Sequence, residues 1–583
     1  MFKLLRFLKE YKKESILGPL FKLLEASFEL IIPIIMACII DIGIANKDNN
    51  YILKMCMLMV AMGVVGLVCS LTAQFFAAKA AVGFATKLRK SLFIHIQNLS
   101  YKELDNIGVS TLITRMTSDI NQIQTGVNLV IRLFLRSPFI VFGAMIMAFR
   151  VNVRAAIIFV ITIPVLSVVV YGIMIISIPM YKKVQFCLDK LLLAIRENLS
   201  GTRVIRAINY EKEDINNFNN ANETLTGKQL LVGKISSLMN PLTYVIINVA
   251  IIALVYRGSI EVNSGVITRG EVVELVNYMS QILVELIKLA TLIITVTKSV
   301  ASGNRVQEIF EIESTMLKEE TDSNFDDADR EERLSLNQVE NIEFNNVGLI
   351  YDKAMEETLS NISMEIKKGE VIGIIGGTGS GKTSLINLIP RFYDITSGEL
   401  KINGEDVKKY NLIELRKQIA VIPQKSVLFQ GTIRENIRFG KKDATDGEIN
   451  YALKVAQAYD FVENKKGKLD YEIEEGGKNL SGGQRQRLAI ARALVTDASV
   501  IIFDDSMSAL DYATDAAMRK EIQNIKDKIK IIVSQRVVSL RDTDRIVVMD
   551  DGRIVGIGNH EYLMANCQVY QEIYHSQVKK DEE

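Results

Sequence analysis

The sequence predicts an α-helical membrane domain with six transmembrane helices, followed by an α/β domain. The chain has 583 residues, which is too long for one hydrophobic core, so two or more domains are expected. Its mean hydropathy of +0.18 and its hydrophobic fraction of 49% indicate that apolar residues are concentrated in a bilayer. Apolar, nearly uncharged runs end near residue 300, and the remainder alternates short Val/Ile-rich strands with charged helical stretches.

The charge balance and the cysteines exclude two other classes of protein. Lys and Arg number 69 against 68 for Asp and Glu, so the chain lacks the basic field of a general nucleic-acid-binding protein. The five cysteines have no CxxC spacing and indicate neither a disulfide framework nor a zinc site.

Six segments are candidates for membrane spans. Three carry no charged residue and are long enough to cross a hydrocarbon core of about 30 Å: 55–78, 155–180 and 235–256. Three others contain charged residues: 16–44, 127–149 and 272–297. We count all six as spans, because an even number returns the chain to the side of the α/β domain, and because charges inside a membrane are tolerated when they face a bundle interior.

The distribution of Lys and Arg predicts that both termini lie on the cytoplasmic side of the plasma membrane. Cytoplasmic loops carry an excess of Lys and Arg. These residues are dense in the N-terminal segment and in the long loops after the second and fourth spans, whereas Arg150 and Arg154, between the third and fourth spans, would lie outside. The opening segment places Leu4, Leu5, Leu8 and Tyr11 on one helical face, which predicts an interfacial helix and not a cleavable signal peptide.

An acidic segment separates the two halves. Residues 306–337 are rich in Asp and Glu and poor in large apolar side chains, so they are predicted to form a solvated linker. This prediction gives a membrane domain of residues 1–305 and an α/β domain of residues 338–583.

The α/β half contains a phosphate-binding loop. The apolar strand 371–375 is followed by a match to GxxxxGK[ST] that leads into a helical run: Gly376, Gly377, Thr378, Gly379, Ser380, Gly381, Lys382, Thr383 and Ser384. The glycines let backbone N–H groups surround phosphate oxygens, and the positive end of the helix dipole faces them. Lys382 reaches the β and γ phosphates, and Thr383 offers its hydroxyl to Mg²⁺.

Two further segments complete the nucleotide chemistry. The buried strand 500–505 ends in two carboxylates and suits Asp504 for the magnesium shell. Between the two motifs lies LSGGQ, whose polar turn at a helix start consists of Ser481, Gly482, Gly483 and Gln484. Such a turn binds anions, but a chain with a complete phosphate loop does not need it there, so we expect its ligand to be the nucleotide of another subunit.

LSGGQ between these motifs, with six spans in front, resembles the ATP-binding cassette (ABC) transporter family, exporter type, over essentially the whole chain. The resemblance implies an α/β P-loop ATP-binding cassette domain that uses ATP and Mg²⁺. It also implies adenine stacking by Tyr351, although a strand-core role for this tyrosine stays open, a magnesium contact by Gln424, and a crossing loop at Asp511. Coupling helices are expected at 101–108 and 206–213.

The chain departs from the family pattern at two positions. The residue after the magnesium aspartate is usually glutamate, which polarises the attacking water, and here it is Asp505. Its side chain is one methylene shorter, which withdraws the carboxylate by about 1.5 Å. Misplacement of a catalytic group by about 1 Å can cost of the order of 100-fold in rate. The switch histidine of the family is replaced by Gln535, which can hydrogen-bond a γ-phosphate but carries neither a proton nor a positive charge.

We interpret the two changes as the mark of a heterodimer. A homologous half-transporter with Glu and His would form a hydrolytic site against this chain's LSGGQ, while this chain's own loop would form a slow site. The expected activity is multidrug-type export of amphipathic drugs, lipids or peptides. A homodimer with two slow sites, or a nucleotide-gated channel or regulatory receptor, stays open; a regulatory insertion or a charged pore lining would favour a channel. The content of Lys, Ile and Asn is consistent with a bacterial source.

The sixth span predicts part of a substrate cavity. Asn277, Gln281 and Glu285 recur every four residues and share one helical face. A cavity carboxylate would favour cationic amphipathic substrates. The alternative is that Glu285 pairs with Lys288 or with another basic residue of the bundle.

Overall fold

The computed structural model describes residues 1–314, 316, 334–352 and 356–578. The chain divides into two compact units, one formed by Met1–Leu99 and Leu104–Ser314, and the other by Ser100–Glu103 and Thr315–Glu583. Most of the predicted linker, 315 and 317–333, lies outside the described residues. Residues 306–310 belong to the last helix of the membrane unit, which therefore continues beyond the predicted boundary at 305.

Residues 1–314 are almost entirely helical. The helices are α1 (Lys12–Cys38), α2 (Asn49–Gln97), α3 (Tyr101–Ile107), α4 (Val109–Thr114), α5 (Ile120–Leu133), α6 (Arg136–Val151), α7 (Val153–Ala207), α8 (Glu211–Ser237), α9 (Met239–Asn263) and α10 (Arg269–Phe310). A 3-10 helix, Phe2–Tyr11, precedes α1. Because a 3-10 helix has about three residues per turn, Leu5, Leu8 and Tyr11 form one row, while Leu4 is turned inward and buried.

Six helical stretches of the described residues are long and apolar enough to cross a membrane. The predicted count of six spans and the α-helical fold class are confirmed. These stretches are Lys3–Ile44, Asn49–Gln97, Val109–Val151, Val153–Ala207, Glu211–Asn263 and Arg269–Phe310.

The expected long cytoplasmic loops are instead helical. Helix α2 has 49 residues, and at about 1.5 Å per residue it extends about 74 Å, more than twice the thickness of a hydrocarbon core. The polar helix α8 continues into the apolar α9 with a single residue between them. A helix keeps its backbone hydrogen bonds whether or not its side chains are apolar enough for a bilayer, so hydropathy locates the spans but not the helix ends.

The second unit is built on two sheets and a short two-stranded ribbon. Its strands are β1 (Asn341–Leu349), β2 (Leu359–Lys367), β3 (Val371–Gly376), β4 (Ser397–Ile402), β5 (Glu405–Asp406), β6 (Ile419–Ile422), β7 (Gly431–Thr432), β8 (Glu472–Ile473), β9 (Val500–Asp504), β10 (Ile529–Val533), β11 (Arg545–Asp550) and β12 (Arg553–Gly558). The larger sheet has the order β12-β11-β3-β10-β9-β6, and the antiparallel sheet has the order β2-β1-β4-β5.

Short helices pack around these sheets. They are α11 (Lys382–Leu388), α12 (Leu412–Lys417), α13 (Ile433–Arg438), α14 (Asp446–Val455), α15 (Tyr459–Glu463), α16 (Gly482–Leu494), α17 (Tyr512–Gln523), α18 (His560–Asn566) and α19 (Gln568–Val578). The alternation of strands and helices confirms the α/β class predicted for this half.

Three buried parallel strands position the functional residues. Ile531 of β10 is paired with Ile372 of β3 on one side and with Ile502 of β9 on the other. All residues of β3, β9 and β10 are buried, as expected for strands covered on both faces. Because the strands are parallel neighbours, the residues after their carboxyl ends meet at one edge of the sheet, which is where open α/β sheets bind ligands.

Candidate functional site

The phosphate-binding loop joins β3 to α11. Gly381 precedes α11 with φ of +90°, and Gly379 has φ of +86°; both values lie in the left-handed region that favours glycine. A Cβ on Gly381 would also lie 2.7 Å from Cδ2 of Leu359. The loop therefore depends on glycine for its conformation and for its close packing.

Lys382 is folded back onto the loop. Its Nζ donates to the carbonyl of Gly376 at 3.0 Å, to the carbonyl of Gly377 at 2.6 Å and to Oγ of Ser380 at 3.3 Å. Burial lowers the pKa of the Lys382 ammonium, while the nearby Asp505 and Asp504 act in the opposite direction. The ammonium donates mainly to neutral oxygens. Because hydrogen bonds to charged acceptors are stronger, the oxygens of a bound phosphate would replace these partners.

Thr383 and Asp504 face each other across the loop. The hydroxyl of Thr383 donates to Oδ1 of Asp504 at 3.0 Å. Burial raises the pKa of Asp504, and the hydrogen bond from Thr383 lowers it in part. A hydroxyl oxygen beside a carboxylate is a donor set that Mg²⁺ prefers, so these residues fit the cation.

Asp505 occupies a constrained position directly after β9. Its φ of +45° lies in the left-handed region, which Asp enters at a lower cost than most residue types. Nε2 of Gln424 donates to Oδ2 of Asp505 at 3.4 Å. Burial raises the pKa of Asp505, while Lys382 and Arg536 lower it.

One cavity of about 340 Å³ contains most of the predicted site. It is lined by Thr358, Thr378, Gly379, Gly381, Lys382, Thr383, Ser384, Gln424, Asp504, Asp505, Val533 and Gln535. The structure thus brings together the phosphate-binding loop and the residues that follow β6, β9 and β10. These segments are far apart in the sequence and meet because their strands share one parallel sheet.

Tyr351 lies beside this cavity but not in its lining. Its hydroxyl donates to Oγ of Ser384 at 3.1 Å, and its ring meets that of Tyr393 edge-on, with 5.1 Å between the ring centroids. The tyrosine follows β1, so it is not one of that strand's residues.

The LSGGQ segment lies apart from the cavity. The Ser481 hydroxyl accepts the backbone N–H of Gln484 at 3.3 Å, and the Gln484 side chain accepts the N–H of Ser481 at 3.1 Å. This reciprocal capping box fixes the start of α16 while Ser481 and Gly482 stay exposed.

Asp511 is likewise outside the cavity and caps α17. Its carboxylate accepts the backbone N–H of Thr514 at 2.9 Å and the Thr514 hydroxyl at 2.8 Å. These hydrogen bonds from Thr514 lower the pKa of Asp511.

Sequence reasoning missed two residues of the site. Thr358, which precedes β2, lines the cavity but belongs to no motif. The charge of Arg536 helps to lower the pKa of Asp505, and its guanidinium donates to the carbonyl of Ser508 at 3.1 Å. Its position directly after Gln535 was the one available signal.

The membrane unit has a separate cavity of about 300 Å³. Glu29, Ile32, Pro33 and Met36 of α1 line it together with Asn277, Ser280, Gln281, Val284 and Glu285 of α10. The three residues predicted to share a face therefore all reach this cavity.

Glu285, however, is not a free charge in this cavity. Its carboxylate accepts bonds from Arg136 at 2.6 Å, Ser137 at 2.7 Å and Lys288 at 2.8 Å, and its side chain is 2% exposed. The alternative considered from the sequence, pairing with Lys288 and with a basic residue of the bundle, is what the structure contains. Arg136 also pairs with Glu29 at 2.6 Å, so the group of two acidic and two basic side chains is neutral overall.

Comparisons with known proteins identify both halves. Residues 15–286 match the model of the ABC transporter transmembrane region, and residues 359–508 match that of the ABC transporter family. The ABC transporter ATP-binding protein YfiB of Bacillus subtilis is 32% identical over 581 residues, which cover 100% of this chain and 99% of YfiB. The ATP-dependent lipid A-core flippase of Syntrophus aciditrophicus is 31% identical over 498 residues, 85% of this chain and 80% of the flippase.

A solved structure agrees with this assignment. A bacterial Atm1-family ABC exporter with ATP bound superposes with a TM-score of 0.81 at 21% identity, covering 97% of this chain and 99% of the exporter. At this identity the likeness establishes the fold. The chain therefore belongs to the ABC transporter family, as a half-transporter with an exporter fold in which a six-helix membrane domain is fused to an ATPase domain that couples ATP hydrolysis to transport.

Proposed function

We propose that the chain is one subunit of a heterodimeric exporter and that its own ATP site hydrolyses slowly. The observation that carries the proposal is the pair Asp505 and Gln535, which lie together in the ATP cavity. Asp505 is one methylene shorter than the usual glutamate, and its carboxylate accepts a hydrogen bond from Gln424. Gln535 has no titratable group with which to take or return a proton.

The rest of this cavity is suited to binding ATP. Lys382 and the N–H groups of the glycine loop would bind the β and γ phosphates, with Tyr351 against the adenine. Thr383, Asp504 and Gln424 would hold Mg²⁺, which when bound neutralises part of the phosphate charge. Gln535 would donate a hydrogen bond to the γ-phosphate. A site that binds ATP but activates the attacking water weakly would let ATP close the dimer without rapid hydrolysis.

The LSGGQ segment supports a partner of the same family. Ser481 is exposed at the start of α16, where its hydroxyl and the free N–H groups of the helix end suit a γ-phosphate. In the proposal, this segment and Asp511 complete the ATP site of a homologous half-transporter that carries Glu and His. Most hydrolysis then occurs at that partner-supplied site.

The proposed substrate is a small amphipathic molecule, such as a drug, a lipid or a peptide, moved out of the cytoplasm across a bacterial plasma membrane. The mixed apolar and amide lining of the membrane cavity supports this class. The similarity to a lipid A-core flippase favours a lipid-like substrate. Both termini would be cytoplasmic. The membrane domain would extend past the predicted boundary at 305 to the end of α10 at Phe310, with a linker up to residue 337 and the cassette domain at 338–583.

The test compares two substitutions in the assembled transporter. Ser481→Ala should lower ATPase activity by roughly 100-fold, because it removes a donor to the γ-phosphate in the competent site. Asp505→Asn should lower it no more than about twofold, since little hydrolysis passes through this site. Steady-state ATPase in proteoliposomes measures both.

A matched control separates capping from catalysis. Thr445 caps α14 through the same type of capping box, with Glu448 in place of Gln484. Thr445→Ala should therefore cost about 1 kcal/mol of helix stability and leave the ATPase rate unchanged. If Asp505→Asn abolishes turnover as fully as Ser481→Ala, the asymmetric model is wrong.

A further inference from the structure

The C-terminal helix is bonded to the loop that carries Gln535. Nε2 of Gln577, near the end of α19, donates to the backbone carbonyl of Gln535 at 2.7 Å. Oε1 of the same side chain accepts the backbone N–H of Val537 at 2.9 Å. Both ends of one side-chain amide thus bridge residues 535–537, directly after β10.

Residue 535 also belongs to the ATP site. Its side chain lines the ATP cavity together with Asp505. The flanking backbone is also fixed, because the N–H of Arg536 donates to Oγ of Ser534 at 3.0 Å and Val537 is buried. Outside the cavity, the Gln535 carbonyl is held by the hydrogen bond from Gln577.

We infer that Gln577 is a positioning residue that holds Gln535 toward the γ-phosphate, so that the C-terminal helix tunes how well this chain's site distinguishes ATP from ADP. The inference rests on the proposed contact between Gln535 and the γ-phosphate. Loss of Gln577 would release the peptide group that carries the Gln535 carbonyl and would weaken one hydrogen bond that ATP makes and ADP does not.

The test measures nucleotide affinity at this chain alone. The full-length chain is incubated with an azido-ATP photolabel in the presence of increasing unlabelled ATP or ADP and is then irradiated, and the label in that polypeptide's gel band is measured, with or without other subunits. Gln577→Ala should weaken competition by ATP about three- to tenfold, the value of one hydrogen bond, and leave competition by ADP unchanged. Unchanged ADP affinity also shows that the variant is folded.

Gln571→Ala is the matched control. Gln571 lies on the same helix, and its amide donates to the carbonyl of Met564 at 2.8 Å, away from the ATP cavity. We expect this variant to bind both nucleotides like the unmodified chain. A loss of ATP affinity in Gln571→Ala equal to that in Gln577→Ala would overturn the inference, because any damage to α19 would then suffice.

A double variant separates this inference from the proposed function. If Gln577 acts through Gln535, then Gln535→Ala should reduce ATP affinity, and adding Gln577→Ala should reduce it no further. If Gln535→Ala has no effect on ATP, the proposed γ-phosphate contact is wrong and the inference is lost with it. If Gln535→Ala is effective but Gln577→Ala is not, or if the two effects add, only the role of Gln577 is refuted.

Discussion

Lys382 and Asp505 line the same cavity but depend on different features of their surroundings. Lys382 is held by two carbonyls of its own loop, so its position follows from the glycine-rich backbone. Asp505 depends on a left-handed backbone and on a hydrogen bond from Gln424, which follows a different strand. In the proposed site, the residues for phosphate binding therefore lie in one loop, whereas the position of Asp505 depends on more than one segment of the chain.

Lys382→Ala should separate the two ATP sites of the assembled transporter. The substitution removes the only side-chain cation that the described cavity lining contains, so ATP should bind at this chain roughly 10- to 100-fold more weakly. The partner-supplied site keeps its chemistry, and ATPase activity should fall but persist. Photolabelling of this chain and steady-state ATPase measure the two effects, with Lys442→Ala, an exposed lysine, as the control. Complete loss of ATPase would show that the sites cannot be separated.

Single residues also show the limits of sequence reasoning. The motif residues from Gly376 to Thr383 could be predicted because their chemistry is encoded in consecutive positions. The pairing of Glu285 with Arg136 could not, since these residues lie 149 positions apart and meet only when α6 packs beside α10. The bonds of Gln577 to residues 535–537 were invisible for the same reason.

Among elements, the charged group of the membrane unit joins three helices. Arg136, at the start of α6, pairs with Glu29 of α1 and Glu285 of α10. Removing one member of a buried pair costs more than the pair contributes, because the remaining charge stays desolvated. The group therefore fixes the arrangement of the helices that line the membrane cavity.

Arg136→Met should destabilise the membrane unit by about 3 kcal/mol, because it leaves two carboxylates without their shared partner. The double variant Arg136→Met with Glu285→Gln should recover part of this loss. Thermal unfolding in detergent measures both, and Arg154→Met, at an exposed helix start, is the control. Equal stability of the single variant and the unmodified chain would contradict the structural role.

The same ion pairs change the expected substrate selectivity. Because Glu285 is neutralised by Arg136 and Lys288, Glu285→Gln should reduce transport of a cationic and a neutral substrate alike. If only transport of the cationic substrate were lost, Glu285 would instead recognise the substrate through its charge.

For the whole molecule, hydropathy and motif order were sufficient to predict the architecture. Six apolar helices followed by an alternating α/β pattern left few arrangements open, and the parallel sheet then placed β3, β9 and β10 side by side. The helix lengths were less predictable, because α8 is mostly polar and hydropathy alone does not reveal it. Ser481 and Gly482, which the proposal places against a partner's nucleotide, are exposed in this chain.

The proposed heterodimer predicts a difference in ATPase rate between this chain alone and the mixed transporter. Purified alone, the chain should hydrolyse ATP at a rate at least about 100-fold below that of the mixed transporter, because no site in a homodimer would contain both Glu and His. Adding a homologous half-transporter that carries both residues should restore rapid ATPase and transport in proteoliposomes. Replacing the partner's catalytic Glu should abolish them again, whereas Asp505→Asn in this chain should not. Rapid ATPase and transport by this chain reconstituted without any other polypeptide would refute the heterodimer and favour a homodimer whose Asp505 and Gln535 are fully competent.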